Sequence, residues 1–254
     1  MCLILIAHDV HPRYKLLVAG NRDEFYNRPT QPASFWPENP AILAGRDLIK
    51  GGTWSGITTA GRFAAVTVYR EPTRYPPHLP SRGLLAAEYL RSQDDPQVYL
   101  EQLASQGGDY KGFSLLVGTV DSLYYFSNRE NIIRPLDKGL HGLSNSLLNV
   151  PWPKVTKGIK TLSECLQAED IKAEDLFAIM ADRECPPDRD LPDTGVGLER
   201  ERMLGPAFIV SPKYGTRETT VLMVDRDNQV QYWERSFVSP QSGTWEEVHY
   251  EMRV

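Results

Sequence analysis

Residues 2–7, Cys2-Leu3-Ile4-Leu5-Ile6-Ala7, put an apolar run directly behind Met1, and a second run, Leu16-Leu17-Val18-Ala19, leads into Gly20-Asn21-Arg22-Asp23-Glu24. Short apolar runs bounded by turn residues read as strands, here Cys2 to Ala7 and Tyr14 to Gly20, joined through Asp9-Val10-His11-Pro12. No glycine-rich turn follows the first strand, so a dinucleotide-binding crossover is excluded.

The order of elements beyond this hairpin sets the class. Arg28 to Pro40 carries four prolines and reads as a loop. Trp54 to Thr58 and Arg62 to Tyr69 read as a hairpin around Thr59-Ala60-Gly61, and Glu71 to Pro80 as a second proline-rich loop. Ser81 is placed to cap a helix over Arg82 to Arg91. Asp95-Pro96 starts another, running to about Ser105, with Gly107-Gly108 as its stop. Phe113 to Val117, Leu123 to Ser127 and Gly139 to Leu143 have strand patterns. Lys154 to Leu166 and Ala173 to Ala181 have helical ones, and Cys185 to Gly197 is a polar loop. Ala207 to Ser211, Thr219 to Asp225 and Val230 to Phe237 return to strand. Strands, then helices, then strands again predict an α+β protein with antiparallel sheets. A four-layer αββα sandwich fits the count, with the Cys2 strand central in one sheet. No linker or repeat divides the chain, so 1–254 reads as a single domain.

The 254 residues are 41% apolar and 24% charged, with net charge -5. No Lys/Arg run marks a nucleic-acid or anionic-membrane partner. No stretch approaches the ~20 apolar residues of a membrane-spanning helix. The first apolar run is short, lacks a basic leader and meets His8 and Asp9 at once, unlike a secretory signal. Three cysteines, an odd and small number, favour a reducing compartment. A cytoplasmic protein is expected.

The chemistry centres on Cys2. Removal of Met1 would leave one residue with both a thiol, of pKa near ~8.5, and a free α-amine, near ~8. Nucleophile and base would then sit on the same residue. With Met1 attached, that nitrogen is an amide and no base. The other reading of Cys2 is a small buried hydrophobe in a strand. The polar density of Asn21 to Glu24 exceeds what a turn needs, and an Arg and an Asp beside a thiol can steady a thiolate and orient an amine.

Further candidates lie far apart. Gly51-Gly52-Thr53-Trp54-Ser55-Gly56 is either a tight turn with Trp54 as a core anchor or a pocket wall. Asn145, in Leu143-Ser144-Asn145-Ser146, is either a turn or cap residue or an amide donor to an oxyanion. Arg217 enters a late strand, where a charge is usually solvated, or else reaches the Cys2 side of the site. The five histidines show no metal-ligand spacing, and Cys165 and Cys185 lack a CxxC partner, so no metal site is expected.

Taken together, Cys2, Asn21-Arg22-Asp23-Glu24, Gly51 to Gly56, Gly142-Leu143-Ser144-Asn145-Ser146 followed by Pro151-Trp152-Pro153-Lys154, and Tyr214 to Asp225 resemble the NRDE family, the homologues of transport and Golgi organisation protein 2. The matching segments span nearly the whole chain. That family is similar in fold to N-terminal nucleophile (Ntn) hydrolases of the choloylglycine hydrolase and penicillin V acylase type. The resemblance implies Cys2 as nucleophile, Arg22 and Asp23 beside it, Asn145 near the N-terminal amine, and Arg217 as a looser match to a late arginine. Asn21, Glu24, Trp54 and Val68 would line the substrate pocket. There is one departure: Val68 stands where the family and the acylases usually place an Asn that donates to the oxyanion, and losing such a donor costs ~2.7–4 kcal/mol of transition-state stabilisation.

Two functions follow from the resemblance. One is a cysteine Ntn-type hydrolase of an amide, ester or acyl thioester, needing no cofactor. The other is a carrier that keeps the fold without turnover, since family members are linked to haem trafficking and to lipid or acyl-CoA homeostasis. Haem would then be a carried ligand, seeking an axial Cys, His, Met or Tyr. A secretory organisation factor is a third reading, for which the chain shows no trafficking segment.

Overall fold

A computed structural model describes residues 3–73, 76, 79–106, 110–239 and 244–254. The opening hairpin is β1 (Leu3–His8) and β2 (Tyr14–Phe25), in antiparallel register with Leu3 opposite Asn21 and His8 opposite Leu16. Next come β3 (Thr30–Trp36), β4 (Asn39–Asp47), β5 (Ser55–Thr58) and β6 (Arg62–Val68), then helices α1 (Arg82–Arg91) and α2 (Pro96–Gln106). They are followed by β7 (Phe113–Thr119), β8 (Ser122–Ser127), β9 (Ile132–Pro135) and β10 (Gly139–Leu143). The chain ends with α3 (Pro153–Cys165), α4 (Ala173–Met180), α5 (Leu198–Leu204), β11 (Tyr214–Asp225), β12 (Gln229–Ser239) and β13 (Thr244–Arg253).

Two wholly antiparallel sheets result, ordered β10-β1-β2-β11-β12-β13 and β3-β4-β5-β6-β7-β8-β9. Alternation along each strand sorts residues between layers. Ile4, Ile6, Leu16 and Val18 of the first sheet meet Phe63, Ala65, Leu116 and Tyr125 of the second in the central core. The opposite face, Leu3, Leu5, Leu17 and Ala19, packs on Val155, Leu162, Leu176 and Phe177 of α3 and α4. Ala64, Val66, Leu115 and Val117 pack on Leu85, Tyr89, Leu100 and Leu103 of α1 and α2. The layers run α, β, β, α.

Several expectations are corrected. Arg28 to Pro40 is not a loop: β3 and the start of β4 lie there, and β3 tolerates proline because it is the sheet's edge. Its register slips between Gln31 and Ser34, around Pro32. Ala207 to Ser211 is not a strand; only an isolated bridge from Val210 to Gly215 forms. β1 is interior but one place from the edge, with β10 outside it, so it is not the central strand. Asn21 to Glu24 continue β2 rather than ending it. Ser81 occupies the N-cap position of α1, yet its side chain makes no capping bond. β9, β13 and α5 were not anticipated. Gly107 and Gly108, the expected stop of α2, lie outside the described residues.

Candidate active site

Strand pairing collects the candidates at one end of the first sheet. Leu3, bonded in sequence to Cys2, lies opposite Asn21 on one side, and its successor Ile4 lies opposite Leu143 of β10 on the other. Asn21–Glu24 therefore flank the start of β1 from β2, while Ser144 and Asn145 follow directly from β10. On the far side of β2, Thr219 pairs with Asn21 and Glu218 with Arg22. Cys2 itself lies outside the described residues.

A bulge makes the NRDE segment work in both directions. In β11, Thr216 opposes Asp23 and Glu218 opposes Arg22, leaving Arg217 as the extra residue. Without it, Thr216 and Glu218 would share a face. With it, Thr216 Oγ1 donates to Asp23 Oδ1 (2.7 Å), while Glu218 Oε2 accepts from Arg22 Nη1 (2.8 Å). Arg22 and Asp23, adjacent and buried, are thus held from opposite sides.

Arg22 is built into a dense ionic cluster. Its guanidinium lies 4.3 Å from the Trp54 ring centroid and 3.5 Å from Asp47 Oδ2. Asp47 also accepts from Arg28 Nε and, through Oδ1, from the backbone amides of Ile49 (3.0 Å) and Lys50 (2.8 Å). Burial pushes the Asp47 carboxyl up, but the Arg28 bond, the Lys50 amide and the charges of Arg28 and Arg22 outweigh it and hold the pKa below its ordinary value. Glu218 accepts a second bond from Thr30 Oγ1 (2.9 Å). Behind it lies Glu234, fully buried, accepting from the Ala33 amide (2.7 Å) and Thr220 Oγ1 (3.3 Å). Burial first, and the Glu218 charge second, push Glu234 up to about 8.

A pocket of about 250 Å³ opens beside this cluster. Arg22, Glu24, Trp54 and Val68 line it, with Thr53 and Thr67 and the α1 start at Ser81, Arg82 and Gly83. The Gly51 to Gly56 segment supplies a wall because Gly52 touches the helix start: a Cβ on Gly52 would stand 2.4 Å from the Gly83 carbonyl carbon. Trp54 is both core anchor and lining residue.

Asn21, Asp23, Asn145 and Arg217 do not line this pocket. Asn21 is sealed on the helical face of its sheet, donating to the carbonyls of Met180 and Ala207 (2.8 Å each) and accepting from Thr219 Oγ1 (2.6 Å). Asn145 reaches across to the second sheet: Nδ2 donates to the Val68 carbonyl (3.1 Å) and Oδ1 accepts from Arg70 Nη2 (3.2 Å). Arg70 in turn pairs with the buried Glu201 of α5. Arg217 Nη1 is directed at the β2–β3 turn, donating to the carbonyls of Phe25, Tyr26 and Arg28 (3.1 Å each). Sequence reasoning missed Asp47, Glu218 and Glu234. Glu218, directly before the β-forming run Thr219-Thr220-Val221, and Glu234, between Trp233 and Arg235, were the available signals, since a carboxylate on a core face needs a partner. Among the described residues no group of three His, Cys, Asp or Glu is arranged to hold a metal.

Comparison with solved structures defines the class. Penicillin V acylase from Agrobacterium tumefaciens superposes with TM-score 0.57 at 12% identity, over 99% of this chain and 86% of that one. A C2A mutant of conjugated bile acid hydrolase from Clostridium perfringens gives 0.52 at 8%, over 98% and 92%. The N-acylethanolamine-hydrolyzing acid amidase orthologue of Caenorhabditis elegans gives 0.51 at 9%, over 87% and 92%. The fold is that of the Ntn-hydrolase-like acylases.

Within that class, the family model of Transport and Golgi organisation 2 matches residues 1–239. The Transport and Golgi organization protein 2 homolog of Bos taurus is 34% identical over 281 residues, covering 100% of this chain and 99% of its own length. The Drosophila melanogaster protein is 28% identical over 282 residues, covering 99% and 98%. The chain belongs to the Transport and Golgi organisation 2 family. Among the described residues, no helix is long and apolar enough to cross a membrane.

Proposed function

We propose that the chain is a cysteine hydrolase of Ntn type acting on a C–N amide or an acyl thioester. The observation that carries this reading is the pairing at the β1 start. Asn21–Glu24 on one flank and Ser144–Asn145 on the other surround the strand whose preceding residue is Cys2. The three solved relatives, named as an acylase, a bile acid hydrolase and an acid amidase, support amide substrates.

In this reading, loss of Met1 frees the Cys2 amine. The thiol proton passes to that amine as sulfur bonds to the substrate carbonyl carbon. The tetrahedral oxyanion collapses, the C–N bond (or the C–S bond of a thioester) breaks, and the proton goes to the leaving amine or thiol. Water then hydrolyses the acyl-enzyme and restores the thiol. Asp23, fixed by Thr216, orients the amine, and Arg22, fixed by Glu218, stabilises the thiolate. The second proton of the Asn145 amide, the first being given to Val68, and backbone N–H groups receive the oxyanion. Arg217 acts at a distance by fixing the β2–β3 turn. The compartment is the cytoplasm, consistent with free Cys165 and Cys185. The test is hydrolysis of a panel of acyl anilides and acyl thioesters: the wild-type chain turns over at least one of them, and Cys2→Ser abolishes it with an unchanged melting temperature. Equal turnover by the variant refutes the reading.

One observation favours a carrier instead. Val68 has no side-chain donor where an oxyanion donor is expected, and its carbonyl accepts from Asn145. Val68→Asn separates the two: it raises turnover if catalysis is limited by that donor, and leaves a carrier inactive. Haem as cargo would need an axial Cys, His, Met or Tyr at the pocket, and titration of haem against an acyl thioester tells the two cargoes apart.

A further inference from the structure

The two sheets have four edges, β10 and β13 in the first and β3 and β9 in the second. An edge presents a row of unpaired N–H and C=O groups, and proteins keep such rows short, broken or covered. Three of the four follow that rule. At β10, Gly142 N donates to Asn149 Oδ1 (2.9 Å), and the Gly142 carbonyl accepts from Asn149 N (2.8 Å). At β3, Pro32 removes a donor. Ala33 turns its backbone to the first sheet: its N–H donates to Glu234 (2.7 Å) and its carbonyl accepts from the Tyr250 hydroxyl (3.2 Å). β9 has four residues and ends in Pro135.

β13 has none of these devices. It is ten residues long, holds no proline or lysine, and pairs with β12 alone, with a register shift only at its Thr244 end. Val254 N donates inward to the Asn228 carbonyl (3.1 Å), and this fixes the alternation of the strand before it. Val248, Tyr250 and Met252 turn their backbone groups to β12, while Glu247, His249, Glu251 and Arg253 turn theirs outward. The outward groups have no backbone partner among the described residues. The strand is fixed from beneath, because Val248, Tyr250 and Met252 pack on the central core.

The side chains along this edge say what it fits. When two copies of one strand pair antiparallel about a two-fold axis, residues equally spaced from the centre lie opposite each other and share a face. Centred on Tyr250, the pairing sets Glu247 opposite Arg253 of the second copy, His249 opposite its Glu251 and Val248 opposite its Met252. Each contact occurs twice, and each is complementary. The neighbouring registers are not. Centred on His249, Glu247 would face Glu251. Centred on Glu251, that carboxylate would face itself and His249 would face Arg253. Centred on Val248, Arg253 would have no residue of β13 opposite it. The charges of the strand thus oppose most pairings and favour one. Glu247 Oε2 accepts from Arg235 Nε (2.7 Å) within its own chain, and a carboxylate has room for a second cation.

We propose that β13 is the interface of a homodimer, in which two copies pair antiparallel about Tyr250 and their six-stranded sheets join into one.

The test is sedimentation velocity of the full chain. One strand pair makes a small interface, so the wild type dimerises with Kd on the order of 10 µM and its dimer fraction rises with concentration. Arg253→Glu sets carboxylate against carboxylate at both symmetric contacts, and Glu247→Arg sets guanidinium against guanidinium. Each weakens the dimer about tenfold. Mixed in equal amounts, the two variants restore both opposite-charge pairs and form a heterodimer about tenfold tighter than either variant with itself. Both residues are exposed, so neither variant is expected to disturb folding, which the melting temperatures check. A wild type still monomeric at ~100 µM overturns the proposal and leaves the edge to a strand of another protein. A dimer indifferent to both variants, or variants that do not combine on mixing, overturns it as well.

Discussion

Glu234 is a residue whose protonation is set by its surroundings. Burial and the neighbouring Glu218 raise its pKa from the ordinary 4.5 to about 8. Between those values the folded chain holds a proton that the unfolded chain has lost, so stability falls as pH rises through this window and is level above it. Glu234→Gln mimics the protonated form: the glutamine oxygen still accepts from Ala33, and its amide donates to Thr220. Melting temperatures from pH 5 to about 8.5 are the measurement, the range being set by that window. The wild-type value drops with rising pH, and the variant gains on it most at the alkaline end. Parallel curves would show that Glu234 is ionised throughout. Glu218 carries a different load. It accepts from Arg22 in a buried ion pair, and Glu218→Gln leaves a buried cation short of its partner, a loss of about 3 kcal/mol in chemical denaturation. A loss below about 0.5 kcal/mol, the size of an ordinary surface change, would show that Asp47 alone suffices for Arg22.

At the scale of elements, the bulge in β11 gives Arg217 its place. Its guanidinium ties three carbonyls of the β2–β3 turn and Thr30 Oγ1 (3.3 Å). Arg217→Ala is expected to destabilise the fold by about 1.5–3 kcal/mol, the range for hydrogen bonds made by a charged group. Any turnover per folded molecule should fall less than tenfold. A loss of several hundredfold with stability intact would make Arg217 a catalytic residue instead. The contact of the Gly51–Gly56 segment with α1 is as specific. Thr53 N donates to the Gly83 carbonyl (3.0 Å), and Gly52→Ala drives a methyl group into that backbone. It should shift the start of α1 and cost about 1–3 kcal/mol, read as a lower melting temperature. An unchanged melting temperature would show that the two segments move apart freely.

At the scale of the molecule, the αββα order was legible because period and punctuation agreed: β1, β10 and most of α1 to α4 fall within a residue or two of their sequence patterns. The prolines of Arg28 to Pro40 misled, since an edge strand needs few of its N–H groups. β13 carried a clear alternation, with Val248, Tyr250, Met252 and Val254 packed on the core, hidden by its glutamates. Arg22, Glu24, Trp54 and Val68, singled out in the sequence, line the pocket. Asn21 was read as pocket-lining because sequence shows that a residue is polar, not which face of a strand it occupies. Asp47 and Glu218 escaped because their partners lie 25 and 196 positions from them.

The central claim is that Cys2, freed of Met1, is acylated. Burial raises the Cys165 thiol above its ordinary pKa, so that cysteine is a poor rival for acylation. Intact-mass spectrometry with peptide mapping, on the purified chain quenched within seconds of adding an activated acyl thioester, reads the claim directly. The expected product is a chain that lacks Met1 and gains one acyl mass, located on residue 2, with Cys165 and Cys185 unmodified. A chain that retains Met1, or one acylated on Cys165 or Cys185 and not on Cys2, would contradict it.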